Sequence, residues 1–210
     1  MKNKKILIIL IIIIIILAFI SIIFSLINIG NEEIYSNIKV QKISLAGKEK
    51  EEANSELNKI YNEKKLKGIK LVHGDFETEI SFDQLGLQTN IADAVTKAYS
   101  IGRSGNIISN NYSILFSYFI PKNIDIDFTI DENSIEKVIE DVESKLPDVL
   151  KDNDCYREGE KLIITKGKSG VIVNKEELKN MIIEKIKDFT NVENTIEIPV
   201  TNKNPEEINI

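Results

Sequence analysis

The sequence predicts an α+β protein: an N-terminal transmembrane helix followed by two small lobes of mixed helix and strand. Three observations carry that prediction. Residues 6–29 form an uncharged apolar run, short stretches of period-two alternation recur after it, and amphipathic segments of helical spacing separate those stretches.

The run reads ILIILIIIIIILAFISIIFSLINI, with Ser21, Ser25 and Asn28 as its polar interruptions. At about 1.5 Å of rise per residue it covers the roughly 30 Å hydrocarbon layer with length to spare. A helix of almost pure isoleucine has no polar face, so it does not suit the surface of a soluble core. Lys2, Lys4 and Lys5 precede it, and Glu32 and Glu33 follow. That asymmetry places the N-terminus in the cytoplasm and everything from about residue 31 outside the cell membrane, as a single-pass protein. A cleaved signal peptide is the competing reading. Its apolar region is usually about 7–15 residues long and ends at a small-x-small site. The exit here, Ser25-Leu-Ile-Asn-Ile-Gly30, has no such pattern, so a retained anchor is expected.

Three of the 27 basic residues precede the run and none of the 33 acidic ones does, leaving the exterior with 24 against 33. An acidic exterior argues against nucleic acid as a partner and against binding anionic polymers by bulk charge. Cys155 is the single cysteine, so no intrachain disulfide forms and stability must come from packing.

Residues 31–38 read as a polar stalk. Lys39–Leu45 alternates as a strand, and Lys48–Tyr61 carries Ala53, Leu57 and Ile60 on one helical stripe. Ile69–Val72 and Phe76–Ile80 flank His73-Gly74-Asp75 as a hairpin. Phe82–Leu87 is a helical turn closed by Gly86, and Asn90 caps a helix reaching about Ile101. Gly102-Arg-Ser-Gly-Asn106 breaks that helix. Ile107–Ile120 is the most apolar part of the exterior, a short covering helix stopped by Pro121.

The second half repeats the recipe. Ile124–Ile130 alternates strictly as a strand, and Asp131 caps a helix running to Pro147. Two strands surround Glu158-Gly159, and Gly167-Lys-Ser-Gly170 turns the chain into Val171–Val173. Asn174 with Glu177 opens a final helix, and Thr195–Val200 closes the order as a strand. The expected organisation is a cytoplasmic tip and anchor (1–30), stalk (31–38), first lobe (39–106), covering segment (107–123), second lobe (124–200) and tail (201–210).

Little in the chain suggests catalysis. His73 is the one histidine and sits in a turn, so a zinc site would need mostly carboxylates. Cys155 has Asp154 beside it and no histidine base. Asp125 and Asp127 share a strand face that suits water. Gly167-Lys168-Ser169 lacks the earlier glycine of a phosphate loop, since Leu162 stands there. Lys166 and Lys168 between glycines still suit a small anion-binding turn. Asn111-Tyr-Ser113 matches a short glycosylation pattern. No catalytic residue, metal site or cofactor is expected. The turn around Gly102 is richer. It reads as a left-handed helix cap plus a guanidinium paired to a core-edge acid, or as a place to hold carboxylate or amide groups of a ligand.

Ala98-Tyr-Ser-Ile-Gly-Arg-Ser-Gly-Asn-Ile107, the 124–130 strand with its Asp131 cap, and Lys166–Gly170 before Val171–Lys175 resemble the peptidoglycan-binding domain. That domain occurs in membrane-anchored proteins of the VanW type and in some L,D-transpeptidases of Gram-positive bacteria. The resemblance spans roughly residues 40–200, and the matched chain lacks a Ser/Cys-His arrangement of the transpeptidase kind. It implies a non-enzymatic, wall-facing module that contacts peptidoglycan or its stem peptides. The ligand-binding positions it implies are Gly102, Arg103, Gly105 and Asn106 with Gly167 and Gly170, to which the anion-binding turn adds Lys166 and Lys168. A scaffold for another envelope protein, using the Ile107–Ile120 surface, is a second reading, and a carboxylate-dependent wall hydrolase a third.

Overall fold

The computed structural model describes residues 2–191 and 193–207; the last three residues of the expected tail and the side chains of Lys2 and Asn3 lie outside them. In chain order the elements are α1 (Lys2–Asn28), β1 (Ile38–Val40), β2 (Ile43–Ser44), α2 (Lys50–Lys67), β3 (Ile69–His73), β4 (Phe76–Ile80), β5 (Gln88–Thr89), α3 (Ile91–Ser100), α4 (Ile107–Phe119), β6 (Lys122–Ile124), β7 (Phe128–Thr129), α5 (Glu132–Lys145), β8 (Asp154–Glu158), β9 (Lys161–Thr165), β10 (Gly170–Val173), α6 (Lys175–Lys187), β11 (Thr195–Glu197) and β12 (Val200–Lys203). The class is α+β, with small sheets rather than one large one. The elements fall into two compact units, one built from 1–59 and 90–127, the other from 60–89 and 128–210. Each unit thus takes two separate stretches of chain, an interleaving absent from the consecutive boundaries read off the sequence.

In the first unit, Lys4–Asn28 of α1 contains an 18-residue stretch of mean hydropathy 3.8 and is long and apolar enough to cross a membrane. β1 and β2 form a hairpin, where the sequence suggested one strand. Gln41 and Lys42 between them both take left-handed backbone (φ 47° and 65°), the conformation of a primed hairpin turn. No glycine or asparagine announces it, which is why alternation alone reads straight through. β1 also pairs in parallel with β6, Ile38 facing Lys122 and Val40 facing Ile124. Ile91, Ala94, Val95 and Ala98 of α3, and Ala53 and Leu57 of α2, are buried with Ile34, Tyr35, Ile38, Val40 and Leu45 in the unit's core. Each large aliphatic side chain buried this way contributes about 1.5–3 kcal/mol.

The second unit is organised on the sheet β11-β3-β4. β3 and β4 pair through a two-residue turn, Gly74-Asp75, with Gly74 left-handed as the hairpin requires. β11 returns parallel to β3, Ile196 beside Leu71. Its core joins Leu71, Ile135, Ile139, Leu178, Ile182 and Ile196. Lys64, near the end of α2, is fully buried in this unit. Its ammonium donates to the carbonyls of Lys185 (2.7 Å), Asn191 (3.2 Å) and Asp188, closing the C-terminal end of α6. Burial lowers its pKa, with the Asp188 carboxylate pulling the other way.

Three expected strands and one helix take other bounds. Beyond the Lys39–Leu45 hairpin, Ile124–Ile130 divides into β6 in the first unit and β7 in the second, because the chain crosses between units at Asp127–Phe128. Thr195–Val200 divides at Pro199 into β11 and β12, which join different sheets, and β12 takes in residues assigned to the tail. The helix expected to end at Tyr61 runs on to Lys67, where Gly68 with φ 61° stops it.

Candidate functional site

The Gly102–Asn106 segment is the joint between α3 and α4. Ile101 caps α3, and Gly102 follows in the left-handed conformation (φ 76°). A Cβ there would stand 2.5 Å from Ile114 Cγ1 and 2.9 Å from Tyr35 Cε2, so glycine is required by both backbone and packing. Asn106 caps α4 by accepting from the Ser109 amide at 3.0 Å. The Gly105 amide donates to Asn110 Oδ1 (2.8 Å), and Asn110 Nδ2 donates back to the Gly105 carbonyl (3.0 Å).

Arg103 is half-buried and turns inward. Nη1 donates to the Tyr99 carbonyl (2.7 Å), and Nη2 to the carbonyls of Asn31 (2.9 Å) and Glu33 (2.5 Å). The guanidinium carbon lies 4.1 Å from the Tyr99 ring centre and 4.5 Å from that of Tyr35. Burial raises the Tyr35 pKa, with Arg103 opposing the rise. The partners are backbone carbonyls and rings, where the sequence reading paired this guanidinium with a carboxylate.

Two clefts adjoin this joint within the first unit. One, of about 390 Å³, has Arg103, Tyr35, Asn110 and the residues leaving α1 in its wall. The other, of about 410 Å³, is lined by Gly102, Ser104 and Gly105 with Ser100, Ser109, Ser113, Lys97 and Lys122. Lys97 pairs with Asp93 (2.6 Å) and Asp127 (3.3 Å), which raises its pKa, the Asp93 contact most. Lys122 makes no ion pair among the described residues. Serine hydroxyls and the Lys122 ammonium give this cleft hydrogen-bonding groups of the kind that suit carboxylate, amide or sugar hydroxyl groups. The sequence reading named the glycines and missed the serines and Lys122; the i,i+4 spacing of Ser109 and Ser113 on a helix was the available signal.

Lys166, Gly167, Lys168 and Gly170 belong to the second unit. Here 166–171 runs against 148–153: Lys168 and Lys151 exchange backbone bonds (2.8 and 3.0 Å), and Gly167 N donates to Asn153 Oδ1 (2.8 Å). A Cβ on Gly167 would overlap the Lys151 carbonyl, and one on Gly170 the Asp148 carbonyl, so both glycines serve a close crossing of two backbones. The Lys166 and Lys168 side chains are exposed. Beside them Asp148, Ser169, Gly170, Asn202, Lys203 and Asn204 line a polar cleft of about 330 Å³.

His73 ends β3 with Nε2 3.4 Å from Asp148 Oδ2 and Nδ1 3.9 Å from Glu197 Oε1. Cys155 is exposed on β8 and faces Ile164 across the hairpin. Among the described residues no group of three or more His, Cys, Asp or Glu side chains is arranged to hold a metal ion. The carboxamide of Asn111, the residue of the glycosylation pattern, is buried against Ser21.

Residues 78–194 match a family model described as "Putative peptidoglycan binding domain". The match covers more than half of the 210 residues and contains all eight of the singled-out site residues. No curated protein and no solved structure matches the chain.

Proposed function

Because the chain belongs to the peptidoglycan-binding domain family, we propose that it is a membrane-anchored, outward-facing module that holds peptidoglycan without chemically altering it. The observation that carries this reading is the family region itself, which contains the glycine joint of the first unit and the serine-lined cleft beside it. Ser100 and Ser104 of that cleft offer hydroxyls to the amides of a stem peptide or to sugar hydroxyls, and Lys122 offers its ammonium to a stem-peptide carboxylate. Arg103 positions the joint through its three hydrogen bonds to the carbonyls of Tyr99, Asn31 and Glu33. In the second unit, Lys166 and Lys168 with the Ser169–Asn204 cleft form a second contact of the same chemistry. The exterior is acidic, so recognition rests on these local donors and not on bulk attraction.

The anchor is α1, whose uncharged length and the preceding Lys4 and Lys5 set an N-terminus-inside orientation. Protease added to wall-stripped cells is expected to digest the part from about residue 31 onward and leave a membrane-embedded fragment. Protection of the whole chain would overturn the orientation, and release of an intact exterior would indicate signal cleavage. For the contact surface, Lys122→Gln in the detergent-solubilised full chain is expected to weaken retention on purified peptidoglycan without lowering the melting temperature. Full retention by that variant removes the serine cleft as the contact.

A further inference from the structure

Helix α4 is chemically odd for a protein surface in water. From Ser104 to Pro121 the chain carries no charge, Arg103 and Lys122 bounding the stretch. Ile108 is 78 % exposed, Tyr112 63 % and Phe119 82 %, with Ile107, Leu115 and Phe116 exposed around them. An apolar surface spread along a whole helix calls for a covering partner.

The position of α4 against α1 identifies that partner. Asn111 Nδ2 donates to both the carbonyl and the hydroxyl of Ser21, each at 2.7 Å, and Asn111 is buried by the contact. Ser21 lies eight residues before the end of the uncharged run at Ile29, about 12 Å back along the helix. The run exceeds the roughly 30 Å hydrocarbon layer by only about 6 Å, so Ser21 sits below the boundary wherever the helix settles. Asn111, and the α4 surface around it, therefore lies at the same depth. The polar atoms of the two helices face each other, and the isoleucine and aromatic side chains face away, as lipid requires. At about 20 Å, α4 is too short to cross, and α3 and β6 at its two ends both belong to the folded unit, so it enters one leaflet and returns.

We propose that α4 is embedded among the acyl chains of the leaflet from which the C-terminal end of α1 emerges, making the membrane contact of this protein a pair of helices rather than one. The proposal rests on α1 being a retained anchor. Both helices expose apolar side chains and meet at Asn111 and Ser21, which commits the α4 surface to lipid; a second copy or another membrane protein on this face is an alternative that the test separates.

The sequence contains no tryptophan, so a single introduced one reports by itself. The full chain carrying Phe119→Trp, Ile108→Trp, Phe19→Trp or Tyr156→Trp is reconstituted in phosphatidylglycerol/phosphatidylcholine vesicles containing acyl-chain-brominated lipid. The expected result is that Trp at 119 and 108 loses emission to the same extent as Trp at 19 on α1, while Trp at 156 on β8 keeps its emission. Quenching at 19 with none at 108 and 119 would overturn the embedded helix and leave the anchor standing. Blue-shifted but unquenched emission at 119, with chemical cross-linking between copies, would also overturn it and assign the face to protein. Absence of quenching at 19 would remove the anchor and the proposal together.

Discussion

Arg103 holds Tyr99 twice: Nη1 donates to its carbonyl at 2.7 Å, and the guanidinium carbon stands 4.1 Å from the centre of its ring. The other terminal nitrogen reaches Asn31 and Glu33, tying the segment that leaves α1 to the end of α3. Arg103→Ala is therefore expected to cost about 1–3 kcal/mol through lost charge-assisted hydrogen bonds to half-buried carbonyls. Arg103→Lys should recover only part, because an ammonium does not reproduce the planar fork. Thermal denaturation of the three proteins measures this. An unchanged melting temperature together with reduced peptidoglycan retention would instead place Arg103 in the binding surface.

Gly102→Ala combines two penalties. The left-handed backbone costs a side-chain residue about 1–2 kcal/mol, and the new methyl would press on Ile114 and Tyr35 in a packed core. Overpacking of that kind typically adds about 1–3 kcal/mol. The variant is expected to melt well below wild type, and Gly74→Ala, whose Cβ would meet open space, to lose less. Equal losses in the two would show that only backbone conformation matters at Gly102.

Lys64 gives a pH signature. Burial sets its folded pKa below the ordinary lysine value of about 10.4. Between those two values the unfolded chain binds more protons, so the Lys64 contribution to stability rises with pH through that window. Lys64→Met also leaves the carbonyls of Lys185 and Asn191 without this donor, a loss of about 1–3 kcal/mol near neutrality. Denaturant titrations should show the gap between wild type and variant widening as pH approaches 10.4 from below, at about that value. A gap that narrows over the same range would mean that the ammonium is favoured in the folded state.

Cys155→Ser should change neither stability nor peptidoglycan retention. The thiol is exposed on a hairpin, opposite Ile164. A folded Cys155→Ser protein that loses its biological activity would bring back an enzymatic reading.

The parts of the fold legible in the sequence are those fixed by local pattern. Helices α3 and α6 start at Asn90 and Asn174 because each side chain accepts from an amide three residues on, a signal contained in the residues themselves. The hairpin at Gly74-Asp75 is local in the same way. What pattern could not reach was long-range pairing. The parallel contacts of β1 with β6 and of β11 with β3 interleave the units, and they split Ile124–Ile130 and Thr195–Val200 where alternation looked continuous. Lys64 was equally hidden, since a lysine in a charged helix gives no sign that its stem will be buried beneath α6. At the candidate site the glycines of 102–106 stood out by type. Ser100, Ser104 and Lys122 entered only once α3, α4 and β6 had been brought around the same cleft.

The central claim is that this chain holds peptidoglycan, and co-sedimentation tests it most directly. Full-length protein in mild detergent is mixed with purified, protein-free sacculi and centrifuged, with cellulose as the control polymer. The account predicts saturable recovery of the protein in the sacculus pellet, competed by soluble peptidoglycan fragments, with no release of new fragments from the wall. Protein that stays in the supernatant at every sacculus concentration, while still folded by circular dichroism, would contradict it.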